Sequence, residues 1–510
     1  MAGCNRGYAE EFRATMTNQD HAFTLDEATI ASVHAAFAAG VLSAVALVEA
    51  YLARIARYDR PTGLNAITVI APTALARAAE LDAARTSGAR LGPLHGVPVI
   101  VKDNYDTAGL QTAAGSKALG DHRPRHDASV VRALRRAGAI VLAKSNMAEL
   151  AFDPFETHSS LAGTTRNAYA LDRVPAGSSG GTASAVAANF GLVGLGTDTG
   201  NSIRGPAAHL ALVGLRPTLG LVSRAGIVPL YAGRDTGGPM TRSVADAARM
   251  LDVIAGDDAA DPLTRTSIGH IPQGGYVECL DAGGLRGTRL GVARQISDTP
   301  TADSEVSALF EAALRDLAAA GAVLVDPFVV PDFADLTENL WCNTLQHDLD
   351  RYLAARHPPY PTLRAIYESG LYASYVKERI EASLAQPPRP EDHEPPCTDL
   401  YTDPRRRRLR AAVDAAMDAA RVDAIVYPSW SNPPRRIGDL ASPHGNNSPL
   451  LAPHTGQPAI TVPMGFTVAG LPGGLQLLGR LFAEPTLLRL GYAYEQATAH
   501  RRPPAGFGPP

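Results

Sequence analysis

Three serines and one lysine carry the chemistry this chain could perform. Ser178 and Ser179 stand side by side in GSSGG. Ser202 follows in the same small-residue stretch, VPAGSSGGTASAVAANFGLVGLGTDTGNSIRGP, from Val174 to Pro206. A serine hydroxyl is a poor nucleophile until a base removes its proton, so the stretch raises the question of a partner. A P-loop phosphate cradle needs a lysine after its glycines, and none follows here. Gly177 to Gly181 fits the nucleophile elbow GxSxG with Ser179 at its centre. That match is short, and an elbow also needs an acid and a histidine downstream. His444, His454 and His500 are available, but none sits in a context that singles it out. The third arrangement uses a lysine as base. Lys102 ends the apolar run of HGVPVIVKDN, and burial that lowers a lysine pKa to about 7–8 lets its amine accept a hydroxyl proton near neutral pH.

The elements that must hold these residues are legible from periodicity. Val45, Val48, Leu52 and Ile55 recur at helical spacing over 45–58. HGVPVIVKDN reads as a short strand entering a polar loop at Lys102. ASVVRALRRAGAIVLAKSN reads as a helix, a stop at Gly138 and a strand over 139–143. The same unit returns near 306–325, and again without its glycine at 411–427. The small-residue run 182–197 reads as a buried helix leading into a strand. Alternating helices and apolar strands predict an α/β fold: a single large α/β/α layered domain, its central mixed, twisted β-sheet covered by helices on both faces. Residues 331–404 differ in composition, with Trp341, Tyr352, Tyr360, Tyr367, Tyr372, Tyr375 and Tyr401. They read as a helical, aromatic-rich insertion or lid. The basic run RRRRLR after Pro404 reads as a solvated helix face.

The chain has 510 residues and a formal net charge of −4, with 45% hydrophobic and 19% charged residues. That balance fits a large buried core and argues against nucleic acid or an anionic membrane as the main partner. Cys4, Cys279, Cys342 and Cys397 show neither metal-ligand spacing nor a disulfide framework, and they are read as mostly reduced thiols in a cytoplasmic protein. No signal peptide and no membrane span is read in the sequence.

GPLHGVPVIVKDN, KSNMAEL, GTTRN, GSSGGTASAVAA, GTDTGNSIRGPAA and GLRPTLGLVSRAGIVPL occur in that order over roughly 91–230. GQPAITVPMGF and GLPGGLQLLG follow near the C-terminus. The ordered set resembles the amidase signature family. The resemblance implies a signature domain over 20–503, with 504–510 left as a disordered tail. It also implies a Ser–cis-Ser–Lys triad: Lys102 as base, Ser178 as the relay after a cis peptide, and Ser202 as nucleophile. By the same resemblance the backbone of Thr199, Gly200, Asn201 and Ser202 forms the oxyanion hole. Ser179 lies behind these groups, Asp198 holds that loop or the lysine, Arg204 pins the loop from beneath, and Met147, Gly177, Leu230 and Tyr231 contact substrate.

The activity implied is hydrolysis of non-peptide amides through a Ser202 acyl-enzyme, with carbamates and esters open to the same route. Hydrophobic or aryl amides are the expected class, selected by the insertion. The alternatives are a glutaminase subunit of a tRNA-dependent amidotransferase and an inactive scaffold. No cofactor or metal is implied; the expected partners are a small amide, carbamate or ester and water, with no nucleic acid and no membrane, in a monomer or homodimer. Three positions depart from the family pattern: Ala176 and Asn201 stand where glycine is usual, and Ala168 where proline is usual. Asparagine tolerates positive φ, so Asn201 is expected to keep the loop's shape.

Overall fold

The computed structural model describes residues 23–508. Eleven strands form one sheet: β1 (Ile67–Ile70), β2 (Pro98–Lys102), β3 (Ile140–Ser145), β4 (Val193–Asp198), β5 (Val213–Arg216), β6 (Thr236–Thr241), β7 (Arg289–Val292), β8 (Val323–Val325), β9 (Ala424–Pro428), β10 (Ala459–Phe466) and β11 (Pro472–Leu478). Their spatial order is β1-β3-β2-β4-β6-β5-β10-β11-β9-β7-β8. β2 runs parallel to β3 and β4, and β7 parallel to β8 and β9. The strands from β4 through β6, β5, β10 and β11 to β9 pair antiparallel. The sheet is therefore mixed, with an antiparallel middle, parallel pairs on either side of it, and β1 antiparallel to β3 at one edge. β2 and β4 are buried along their whole length, so their side chains meet packed helices and loops and no bulk water.

The repeated helix–strand unit is built three times. Ser129–Arg136 precedes Gly138 at φ 91 and β3; a Cβ on Gly138 would sit 2.8 Å from the His95 Cα. Ser304–Ala319 precedes Gly321 at φ 98 and β8. In the third unit, Pro404–Ala420 leads to β9, and Arg421 takes the left-handed cap conformation at φ 51 that a glycine would adopt without penalty. Four short α-helices, Phe333–Thr337, Leu345–Ala354, Leu363–Ser369 and Val376–Leu384, lie in the aromatic-rich segment, joined by irregular stretches. Leu345, Leu349, Tyr352 and Leu363 pack with Met147, Leu150, Phe152 and Leu230, so this segment has its own apolar core against the site loops.

Three expectations are corrected. Cys342 and Cys397 form a disulfide with Cα atoms 5.7 Å apart. Their 55-residue separation hid a contact that only the folded path of the insertion creates. Cys279 is free, and Cys4 lies outside the described residues. The tail packs as far as Gly508: Phe507 is 4% exposed, its ring lies 5.6 Å from Tyr58 and 6.0 Å from Phe190, and its carbonyl accepts from Arg54 Nη2. In the basic run, Arg406 is buried and donates to the carbonyls of Gly233, Pro453 and His454, whereas Arg407 and Arg408 are exposed.

Candidate active site

Lys102 is the last residue of β2 and is fully buried. Its Nζ donates to Ser178 Oγ at 2.7 Å and to Thr197 Oγ1 at 2.8 Å. Burial lowers the Lys102 pKa to about 7 against the opposing pull of the Asp198 and Asp235 carboxylates. The amine is thus poised between its two protonation states near neutral pH. Thr197, on neighbouring β4, was not singled out from sequence; its hydroxyl also accepts from Asn104 Nδ2 at 3.0 Å. A second buried lysine, Lys144, is lowered by burial to about 8. Its Nζ contacts the Tyr105 carbonyl and the Thr107 and Thr112 hydroxyls, and no serine.

The Gly177–Ser178 peptide bond is cis, and Ser178 is buried beside Lys102. Gly177 is packed by backbone: a Cβ there would lie 2.3 Å from the Asp153 carbonyl and 2.4 Å from that of Glu156. Ala176, where glycine is usual, takes φ 61, and its carbonyl accepts from Thr157 Oγ1 at 2.8 Å. Ser179, centre of the GxSxG match, turns to β4, its Oγ donating to the Thr197 carbonyl at 3.2 Å. None of His444, His454 and His500 reaches it. His454 pairs with Arg234, His500 with Asp316, and His444 lies on the Phe155 ring.

Ser202 follows the turn after β4 and precedes the helix Arg204–His209. With Thr199, Gly200 and Asn201 it lines a cavity of about 430 Å³. The backbone N–H groups of Gly200, Asn201 and Ser202 donate to no protein acceptor among the described residues. Asn201 does not take a positive φ; its Nδ2 donates to the Pro154 carbonyl at 3.1 Å, so the side chain ties this turn to the 153–156 turn. Beneath the turn, Arg204 is fully buried. It bridges Asp198, the Gly200 carbonyl at 2.6 Å and the Ser448 carbonyl at 2.7 Å. Burial alone would raise the Asp198 pKa, but Arg204 and Arg216 outweigh it and hold the carboxyl at about 2.

Leu230 and Tyr231 line the cavity. Met147 and Gly177 do not: Met147 is fully buried in the apolar core shared with the insertion, and Gly177 is enclosed by the 153–156 turn. The rest of the wall was missed from sequence, including Phe152, Phe155, Trp341, Cys342 and Arg379. Trp341 gave a partial signal as one of the insertion's aromatic residues. Asp235, also missed, accepts from the Thr199 hydroxyl and from the backbone N–H groups of Leu230 at 2.8 Å and Tyr231 at 3.1 Å. It therefore joins the Ser202 turn to the cavity wall, and burial raises its pKa to about 6.

The family model for amidases matches residues 46–488. The chain belongs to the amidase family. The family expected from the ordered motifs thus stands, as does an enzyme acting on amides. Within the family, the chain is similar to the peptide amidase of Stenotrophomonas maltophilia: 39% identity, a TM-score of 0.84, and coverage of 94% of this chain and 98% of that one. It is 37% identical to a glutamyl-tRNA(Gln) amidotransferase subunit from Symbiobacterium thermophilum, over 91% of this chain and 95% of the relative. It is 33% identical to a probable amidase of Arabidopsis thaliana, over 98% and 94%. Among the described residues of this amidase-family chain, no helix is long and apolar enough to cross a membrane.

Proposed function

We propose that this amidase-family chain hydrolyses small non-peptide amides bearing a hydrophobic or aryl group, with Ser202 as nucleophile. One observation carries the reading. A buried lysine with a pKa near 7 is hydrogen-bonded to Ser178, and Ser202 stands in the wall of an aromatic-lined cavity. Neutral Lys102 takes the Ser178 proton as Ser178 takes that of Ser202, and the Ser202 oxygen attacks the substrate carbonyl. The oxyanion that forms accepts hydrogen bonds from the backbone of Thr199, Gly200, Asn201 and Ser202, where a single donor is typically worth about 3 kcal/mol. The relay then runs backward to protonate the leaving amine, and water repeats the sequence on the acyl-enzyme. Aryl carbamates and esters pass through the same steps with a different leaving group. In this reading residues 331–404 act as the lid, since Trp341 and Cys342 belong to the cavity wall.

A second reading, glutaminase within an amidotransferase, is favoured by relatives named as subunits of an enzyme of glutamyl-tRNA. Those names also reopen the expectation that no nucleic acid is a partner. The two readings separate in one assay of the isolated chain on an anilide, an aliphatic amide, an aryl carbamate and glutamine. Turnover of the anilide with glutamine untouched supports the first reading; turnover of glutamine alone overturns it.

A further inference from the structure

Residues 340–344 form a strap without helix or strand, and Trp341, Cys342 and Asn343 of it line the cavity. Among the described residues, the backbone N–H groups of Trp341, Cys342 and Asn343 make no hydrogen bond. The strap is held by side chains. The Arg234 guanidinium sits 4.0 Å over the Trp341 ring and also donates to the Leu340 carbonyl, and Asn343 Nδ2 donates to Ser383 Oγ at 3.1 Å. Trp341 is half exposed, yet its ring edge would lie 3.4 Å from a Cβ on Gly200, in the Ser202 turn. The Trp341 ring also meets those of Tyr231 at 6.1 Å and His454 at 5.4 Å, and a further tie is covalent. Cys397 belongs to a turn fixed by its own N–H to the Pro390 carbonyl at 2.9 Å and, further on, by the Tyr401 hydroxyl to the Leu219 carbonyl at 2.9 Å. Cys342 lines both the Ser202 cavity and a neighbouring cavity of about 520 Å³, so the bridge forms part of the partition between them.

We propose that the Cys342–Cys397 disulfide determines substrate specificity: it holds Trp341 against the Ser202 turn, and its reduction weakens binding of aryl amides. The inference rests on the amidase reading above. In the reductive step a dithiol supplies two electrons and two protons. The S–S bond breaks, Cys342 and Cys397 become thiols, and the reagent closes to its own disulfide. The freed strap then leaves the cavity without one aromatic wall, while Lys102, Ser178 and Ser202 stay in place on their own elements.

The test uses the full-length protein before and after dithiothreitol, with thiols counted in denaturant and kinetics measured on a nitroanilide. Reduction is expected to add two thiols to the count, those of Cys342 and Cys397. Loss of one aromatic contact predicts a KM higher by about fivefold, with kcat within about twofold of the oxidised enzyme and full recovery on reoxidation. Cys342→Ser/Cys397→Ser should show the raised KM and ignore the reductant. Trp341→Ala should raise KM with the disulfide intact, which keeps the test open should the cysteine variant fail to fold. A thiol count unchanged by reduction, or an unchanged KM after complete reduction, overturns the proposal. An oxidised enzyme inert on every amide overturns the amidase reading instead.

Discussion

Lys102 and Lys144 are both fully buried, and only their neighbours separate them. Lys144 contacts backbone and threonine oxygens, whereas Lys102 reaches Ser178. With the Lys102 pKa near 7, the account predicts a rate that falls about tenfold for each pH unit below about 7, as the amine needed as base is protonated. A rate unchanged down to pH 5 would contradict it. The same burial has a stability consequence of the opposite sense from a salt bridge. The unfolded chain holds this proton up to the ordinary value of 10.5, and the folded chain releases it near 7. Between those values the unfolded state binds more protons, so stability rises with pH. Lys102→Met should therefore stabilise the fold most below pH 7, and the gain should shrink towards pH 10.5. Denaturant melts at pH 6 and pH 10 check this, and equal gains at both would contradict it. At this scale the sequence was legible where a motif named the residue. It was silent on Thr197 and Asp235, whose roles arise from long-range contacts that no local pattern encodes.

The site depends on where strands stop. β2 ends at Lys102 and β4 at Asp198, side by side as parallel neighbours in the sheet. The turn after Asp198 is then clamped from below by Arg204 and from the side by Asp235. The helix–glycine–strand units were legible because glycine marks the left-handed cap. The third unit shows the limit, since Arg421 adopts that conformation with φ 51. Arg421→Gly should raise stability by about 1 kcal/mol by relieving the steric cost of a left-handed non-glycine residue. Chemical denaturation measures it, and a loss of stability would contradict the account. The insertion's helical content was legible from composition. Its disulfide was not, because pairing depends on how two irregular segments meet.

Across the whole molecule, one eleven-stranded sheet carries both the flank that holds Lys102 and the distant β7–β9 edge. The C-terminal segment closes the structure. Phe507 covers the buried Arg54, whose guanidinium also meets Asp26 at 2.7 Å and the Gly508 carbonyl at 3.1 Å. Phe507→Ala should cost about 3 kcal/mol, as truncation of a buried aromatic side chain does. A change within about 0.5 kcal/mol, the range of surface substitutions, would show the segment to be dispensable. Proline and glycine in RRPPAGFGPP suggested disorder, and the single aromatic that anchors the segment went unread. The disulfide also removes the support that reduced cysteines gave to a cytoplasmic setting.

In the proposed reaction neutral Lys102, acting through Ser178, activates Ser202. The most direct test of this step is labelling with a serine-directed phosphonate over a pH series, the adduct being located by mass spectrometry. The account predicts an adduct on Ser202, forming more slowly as pH falls below about 7 and nearly abolished by Lys102→Ala. An adduct on Ser179, or labelling of Ser202 at an undiminished rate in Lys102→Ala, would contradict it.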